Sequence, residues 1–206
     1  MGSEGQLVFI DFEFSMPERQ KVSKDFHPEI IETGVVVVNG GKVIDTFSCY
    51  IKPVFFPRLT NRCKRFLSIT QADVDGGRSF KEMHDYFASL DQLGVKEVVT
   101  WGNMDMKVLR DSCSRLGMAF PFHARFVDLS MEYKRFFGDQ NQTGLWKAVQ
   151  EYGREGVGKH HKALDDAMTT QHIYHLVEKD KKYLEKAEPT TIGDRIDLSK
   201  FYNQLA

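Results

Sequence analysis

The sequence predicts an α/β fold. It is a mixed five-stranded sheet, an antiparallel meander followed by parallel strands, flanked by helices. Three observations predict it. Leu7–Val8–Phe9–Ile10–Asp11–Phe12–Glu13–Phe14 is an apolar, aromatic run of strand length. Asn39–Gly40–Gly41 is a strong hairpin turn, because Asn and Gly tolerate positive φ. Beyond Gly76–Gly77, helical and strand segments alternate, which is the pattern of parallel crossovers.

The elements follow in order. After the first strand, Pro17 to Pro28 is polar and reads as a loop. Glu29 to Val38 and Lys42 to Lys52 flank the hairpin turn, with Pro53 and Pro57 bounding the second of them. Arg58 to Asp75 reads as less regular and gathers Arg58, Arg62, Lys64 and Arg65, a solvated face or a phosphate-contacting rim. Ser79 and Glu82 have capping-box spacing, and Phe80, Met83, Tyr86, Phe87 and Leu90 continue as a helix. Glu97 to Trp101 is a short buried strand. Asn103 is placed to cap the helix carrying Met106, Leu109, Cys113 and Leu116. Ala124 to Leu129 is a further strand, followed by a helix through Phe137 and another from Thr143 to Tyr152. A glycine- and base-rich loop, Gly156 to Lys162, leads into a last helix from Ala163 to Glu178. Residues 181–206 form a polar C-terminal extension, docked through Ile196, Leu198, Phe201, Tyr202 and Leu205 or mobile.

The chain has 206 residues, enough for one sizeable core, and a formal net charge of -1. That balance advertises no global basic field but leaves room for a local groove. The three cysteines, with no C-x-x-C, argue against a disulfide framework or a structural zinc site. Met1 to Gln6 has no signal pattern, and the longest aliphatic run, Val35 to Val38, is too short to cross a membrane. The expectation is a cytoplasmic protein with no membrane partner.

Chemistry enters through the acids. Alternate side chains on a strand share a face, so Asp11 and Glu13 point the same way. Acids on so apolar a strand are costly unless they hold a cation, or unless the strand is an edge with its acidic face in water. Asp105 opens the helix after the Glu97–Trp101 strand, where it either serves the helix dipole or joins the same site. Asp165 and Asp166 begin the last helix, and periodicity leaves open which of them faces inward. His160 and His161 precede them in the loop. Carboxylate oxygens suit Mg²⁺ or Mn²⁺, and two such ions clamp an in-line phosphoryl displacement. A nearby histidine can take the proton of the attacking water.

Asp11-x-Glu13, Asp105 and His161-x-Ala163-x-x-Asp166–Ala167 resemble, in order, the motifs of the DEDDh 3′→5′ exonucleases of the ribonuclease H-like (DnaQ-like) superfamily. Glu29–Ile30–Ile31–Glu32-x-Gly34, Ile69–Thr70–Gln71-x-x-Val74–Asp75 and Trp101–Gly102-x-x-Asp105 are similar to the Eri-type RNA exonucleases. The length and style are similar to the bacterial sporulation-inhibitor KapD-type branch.

The resemblance implies a ribonuclease H-like fold, with the exonuclease domain over residues 1–180. It implies that Asp11, Glu13, Asp105 and Asp166 hold two Mg²⁺ or Mn²⁺ ions, with His161 as general base. His161 lies five residues before Asp166, about 140° away on a regular helix, so it must reach the ions from the loop. It is expected to be mobile without substrate. Phe14 and Ser15 would approach the terminal nucleotide, and Met104 stands where Eri-type enzymes carry an aromatic base stacker. The substrate implied is a single-stranded 3′ end, RNA ahead of DNA, cut to 5′-mononucleotides. A DNA-directed proofreading enzyme and a catalytically idle binder are the rivals.

Overall fold

The computed structural model describes residues 5–19 and 25–186. Five strands are present: β1 Gln6–Phe14, β2 Ile30–Asn39, β3 Lys42–Tyr50, β4 Val95–Thr100 and β5 Arg125–Asp128. They form one sheet in the order β3-β2-β1-β4-β5. β1 and β3 pair antiparallel to β2, while β4 runs parallel to β1 and β5 parallel to β4. The mixed sheet expected from the sequence is the one observed. Asn39 pairs with Lys42, so Gly40 and Gly41 alone make the turn, both at positive φ.

β1 is hydrogen-bonded on both sides, which removes the edge-strand alternative for its acids. Seven helices accompany the sheet among the described residues: α1 Asn61–Leu67, α2 Gln71–Asp75, α3 Phe80–Gln92, α4 Met104–Arg115, α5 Leu129–Phe137, α6 Leu145–Glu151 and α7 Ala163–Lys186. Val8, Ile10 and Phe12 of β1 join Met83 and Phe87 of α3 and Leu109 and Cys113 of α4 in the main core. Each such side chain contributes about 1.5–3 kcal/mol by leaving water. On the opposite face of β1, Phe9 packs edge-on to Tyr174 of α7 with ring centroids 5.3 Å apart. The acids therefore stand on the α7 side of the sheet.

The described residues fall into two compact units, one ending at Tyr174 and the other beginning at His175. The described part of the second is the distal half of α7. The docking side chains expected after residue 186 lie outside the described residues. No described helix is long and apolar enough to cross a membrane.

The structure corrects three local readings. The segment read as irregular, Arg58 to Asp75, holds α1 and α2. Each starts at a threonine cap: the Thr60 hydroxyl accepts from the Cys63 N–H, and Thr70 forms a full capping box with Asp73. Their burial is carried by scattered residues, Cys63, Leu67 and Val74, too few to show a period in sequence. Asn103 occupies the cap position of α4 but makes no side-chain cap bond. The last helix runs past Glu178 to Lys186, because nothing from Lys179 to Lys186 breaks it; Pro189 and Gly193 come later.

Gly34 of β2 is where α7 meets the sheet. A methyl group there would overlap the backbone of Ala163 and Leu164, which cannot yield as a side chain would. Gly34→Ala is expected to destabilise the fold by about 3 kcal/mol, the upper part of the overpacking range, as read by urea denaturation.

Candidate active site

The site is built from β1 and from the start of α7. Asp11 and Glu13 share a face of the central strand, and Asp166 arrives from the first turn of α7. Oxygens of these three carboxylates lie within 4.8 Å of one another. Asp105, in the first turn of α4, is anchored to the same strand: its Oδ1 accepts from the Phe12 N–H at 3.0 Å. The first turn of α7 also decides between its two acids. Asp165 turns back to accept from the Lys159 N–H at 2.7 Å, whereas Asp166 faces β1.

Crowding like charges in a poorly hydrated place makes each harder to ionise. Burial above all, then Asp105 and Glu13, raises the Asp11 carboxyl well above its usual range. Burial, followed by Asp166 and Glu32, pushes Glu13 up to about 8. Burial pushes Asp105 up to about 7 despite the Phe12 N–H, which works the other way. Asp166 is raised by burial too, opposed by hydrogen bonds from Trp146 and His161. Lys162 favours the charged form of Glu13 but is engaged elsewhere: its Nζ lies 3.4 Å from Glu32 Oε2 and 3.2 Å from the Tyr50 hydroxyl.

His161 stands in the loop before α7 in a left-handed conformation, φ 62°. A non-glycine residue there costs about 1 kcal/mol. The conformation directs its N–H to Asp166 Oδ2 at 3.1 Å. Its ring stacks on His160, centroids 3.8 Å apart, and rests on Phe66 of α1 at 4.4 Å. Nδ1 is 3.9 Å from Glu13 Oε1. Burial first, then His160, lowers the imidazole from its ordinary 6.5.

The structure thus gathers Asp11, Glu13, Asp166 and His161, with Asp105 tied to the same strand. The other three expected residues sit differently. The Phe14 ring packs edge-on to Phe12, 6.4 Å away, on the side of the sheet away from the acids, because the two faces of a strand alternate. The Ser15 side chain is buried, its Oγ accepting from the Glu29 N–H at 3.0 Å. Met104 is exposed at the first position of α4, beside Asp105. A cleft of about 290 Å³ opens next to Ser15, walled by Met16, Phe26, Phe56 and Arg58.

Sequence reasoning missed Trp146, whose Nε1–H donates to Asp166 Oδ1 at 2.6 Å. It missed Phe66 and the Glu32–Lys162 pair as well. Glu32 alone had a readable signal, an acid in an otherwise aliphatic strand opposite Glu13.

Residues 8–174 match the family described as Exonuclease (RNase_T). A Bacillus subtilis protein, "Probable 3'-5' exonuclease KapD", is 52% identical over 194 residues, covering 94% of this chain and 95% of its own. The chain belongs to the DEDDh 3′–5′ exonucleases. Human "3'-5' exoribonuclease 1" is 30% identical over 179 residues, 81% of this chain, and this chain spans 50% of that protein's length. The nuclease domain of 3'hExo, a DEDDh member bound to rAMP, superposes with a TM-score of 0.74 at 28% identity, covering 85% of this chain and 92% of that one. The fold of this exonuclease family implies dependence on divalent metal. The donor set fits: oxygen-only, acidic, and lacking enough positive charge of its own to offset the repulsion among its members.

Proposed function

We propose that this exonuclease removes nucleotides from single-stranded RNA 3′ ends with two Mg²⁺ or Mn²⁺ ions, releasing 5′-mononucleotides. Its domain spans residues 1–180, and residues 181–206 are an extension. The observation that carries the reading is the convergence of Asp11, Glu13 and Asp166 within 4.8 Å beside the His161 ring. Asp11, Glu13 and Asp166 are the direct ligands, and Asp105 acts from its seat on the Phe12 amide. When bound, the ions supply Lewis-acid charge stabilisation at the scissile phosphate.

His161 Nδ1 faces the acids and accepts the proton of the attacking water. As the new P–O bond forms, the bond from phosphorus to the 3′-oxygen of the shortened chain breaks. Arg62, Lys64 and Arg65 lie on α1, the helix that carries Phe66 against His161, and Arg58 walls the cleft beside Ser15. Together they offer cations for the backbone of an incoming strand, and the cleft's apolar walls suit a base. Preference for RNA is supported by the relatives, an exoribonuclease and a nuclease domain holding rAMP.

Matched RNA and DNA oligonucleotides with 3′-hydroxyl ends, incubated side by side with each metal, test the reading. RNA is expected to shorten from the 3′ end faster than DNA, and EDTA to stop both. No shortening, with Asp11→Ala indistinguishable from wild type, defeats it. A clear DNA preference transfers the site to the proofreading type.

His161→Ala is expected to lower turnover about 10²–10⁴-fold, because it removes a general base. Divalent-metal affinity by calorimetry should stay within a few fold. The acidic limb of the wild-type pH–rate profile should lie below the ordinary imidazole value of 6.5, since burial and His160 both disfavour the charged ring.

A further inference from the structure

We propose that Trp146 is a positioning residue for Asp166, orienting this carboxylate for a divalent cation. The inference rests on the reading of Asp11, Glu13 and Asp166 as ligands. An indole N–H withdrawn from water needs an acceptor, and that of Trp146 is partly buried. The Trp146 N–H meets a carboxylate oxygen, Asp166 Oδ1, at 2.6 Å. The second oxygen, Oδ2, takes the His161 backbone N–H at 3.1 Å. Among the described residues each oxygen thus takes one hydrogen bond, leaving a second lone pair for a cation. Two bonds, one to each oxygen, fix the plane of the carboxylate, so it does not rotate away from Asp11 and Glu13. Donors of this kind behind a ligand commonly set its orientation and affinity.

The indole is itself held. It projects from α6, whose Leu145, Ala148 and Val149 are buried. His160 covers it at a centroid distance of 5.1 Å. A Cβ on Gly156 would stand 2.7 Å from ring atom Cζ3, so that position admits only glycine while the ring stays in place. Gly156, Trp146 and Asp166 form one mechanical chain that leads from the loop to the acids.

The chain has two tryptophans, which makes the test self-controlled. The other, Trp101, gives its indole N–H to the Thr143 carbonyl at 3.1 Å and has no carboxylate partner there. In ¹⁵N-labelled full-length protein each indole N–H gives one cross-peak, assigned with Trp101→Phe. Titration with Mg²⁺ is expected to move the Trp146 peak saturably and leave the Trp101 peak in place. Trp146→Phe is expected to weaken Mg²⁺ binding by about tenfold or more in calorimetry. Gly156→Ala should weaken it as well by displacing the ring, yet add little in the Trp146→Phe background, because phenylalanine lacks the atoms that collide. A static Trp146 peak, or unchanged affinity in the folded Trp146→Phe protein, overturns the proposal. Loss of the exonuclease reading looks different: the indole shift and its saturation persist while no oligonucleotide is shortened.

Discussion

Asp11→Asn is expected to abolish hydrolysis while leaving the metal-free protein more stable. Asp11 stands at the centre of the acid cluster, close to Glu13 and Asp166, with Asp105 and Glu32 also bearing on it. As the ligand proposed above, it would give up an anionic oxygen for a neutral amide one, and several kcal/mol of transition-state charge stabilisation would go with it. At about 1.4 kcal/mol per decade, this amounts to roughly 10³-fold in kcat. The folded, metal-free chain feels the opposite effect, because asparagine brings no charge to a place where burial and like charges already resist ionisation. Relief of about 1 kcal/mol would raise the melting temperature about 2–4 °C in EDTA for a chain of this size. Oligonucleotide turnover and thermal unfolding in EDTA read the two halves separately. A variant that loses activity and stability together would mean that Asp11 is structural.

Stability in the absence of metal is expected to fall as pH rises from about 4.5 to 8, and divalent cations to reverse the trend. Glu13 is raised from an ordinary 4.5 to about 8 in the folded chain, so the folded state holds its proton more tightly than the unfolded state does. Asp105, raised from 3.8 to about 7, acts in the same direction. Between the unfolded and folded values the native state binds more protons, and stability declines as pH climbs through that window. Protons and cations compete for the same oxygens, so the apparent affinity for Mg²⁺ should tighten as pH rises toward 8. At 100 times its dissociation constant a ligand adds about 2.7 kcal/mol. For this chain that is a rise of roughly 5–10 °C in melting temperature. The rise should be clearly larger at pH 8 than at pH 6. Equal shifts at both would mean that the bound cation is held by groups other than these carboxylates.

Much of this was legible in the chain. The apolar run around Asp11 and Glu13 announced a buried strand, and the period of two placed both acids on one face whatever the surroundings. The hairpin turn declared itself through Asn39, Gly40 and Gly41, because few residues tolerate that backbone. The alternation after Gly76 announced the parallel half of the sheet. The helices between Arg58 and Asp75 were hidden, since each spans only a turn or two and is held by threonine caps and a few buried residues rather than by a repeating stripe.

Local periodicity left undivided what depends on distance in space, although the motif resemblance had already singled out His161 and Asp166. Asp165 and Asp166 are neighbours at the start of one helix, and both satisfy the composition of a first turn. Only the docking of that helix against Gly34 of β2 turns Asp166 toward the strand and leaves Asp165 on the Lys159 amide. His160 and His161 are equally placed in sequence, and the left-handed backbone at His161 separates their roles. Trp146 and Phe66 come from helices with no chemical motif of their own and meet the acids and the histidine only after folding. The sequence by itself determined the strand, the shared face of Asp11 and Glu13, the turn and the order of elements, because these follow from local periodicity and backbone preference. Tertiary structure alone decided how their protons are held and what orients Asp166, because charge repulsion, burial and hydrogen bonding act between residues far apart in the chain.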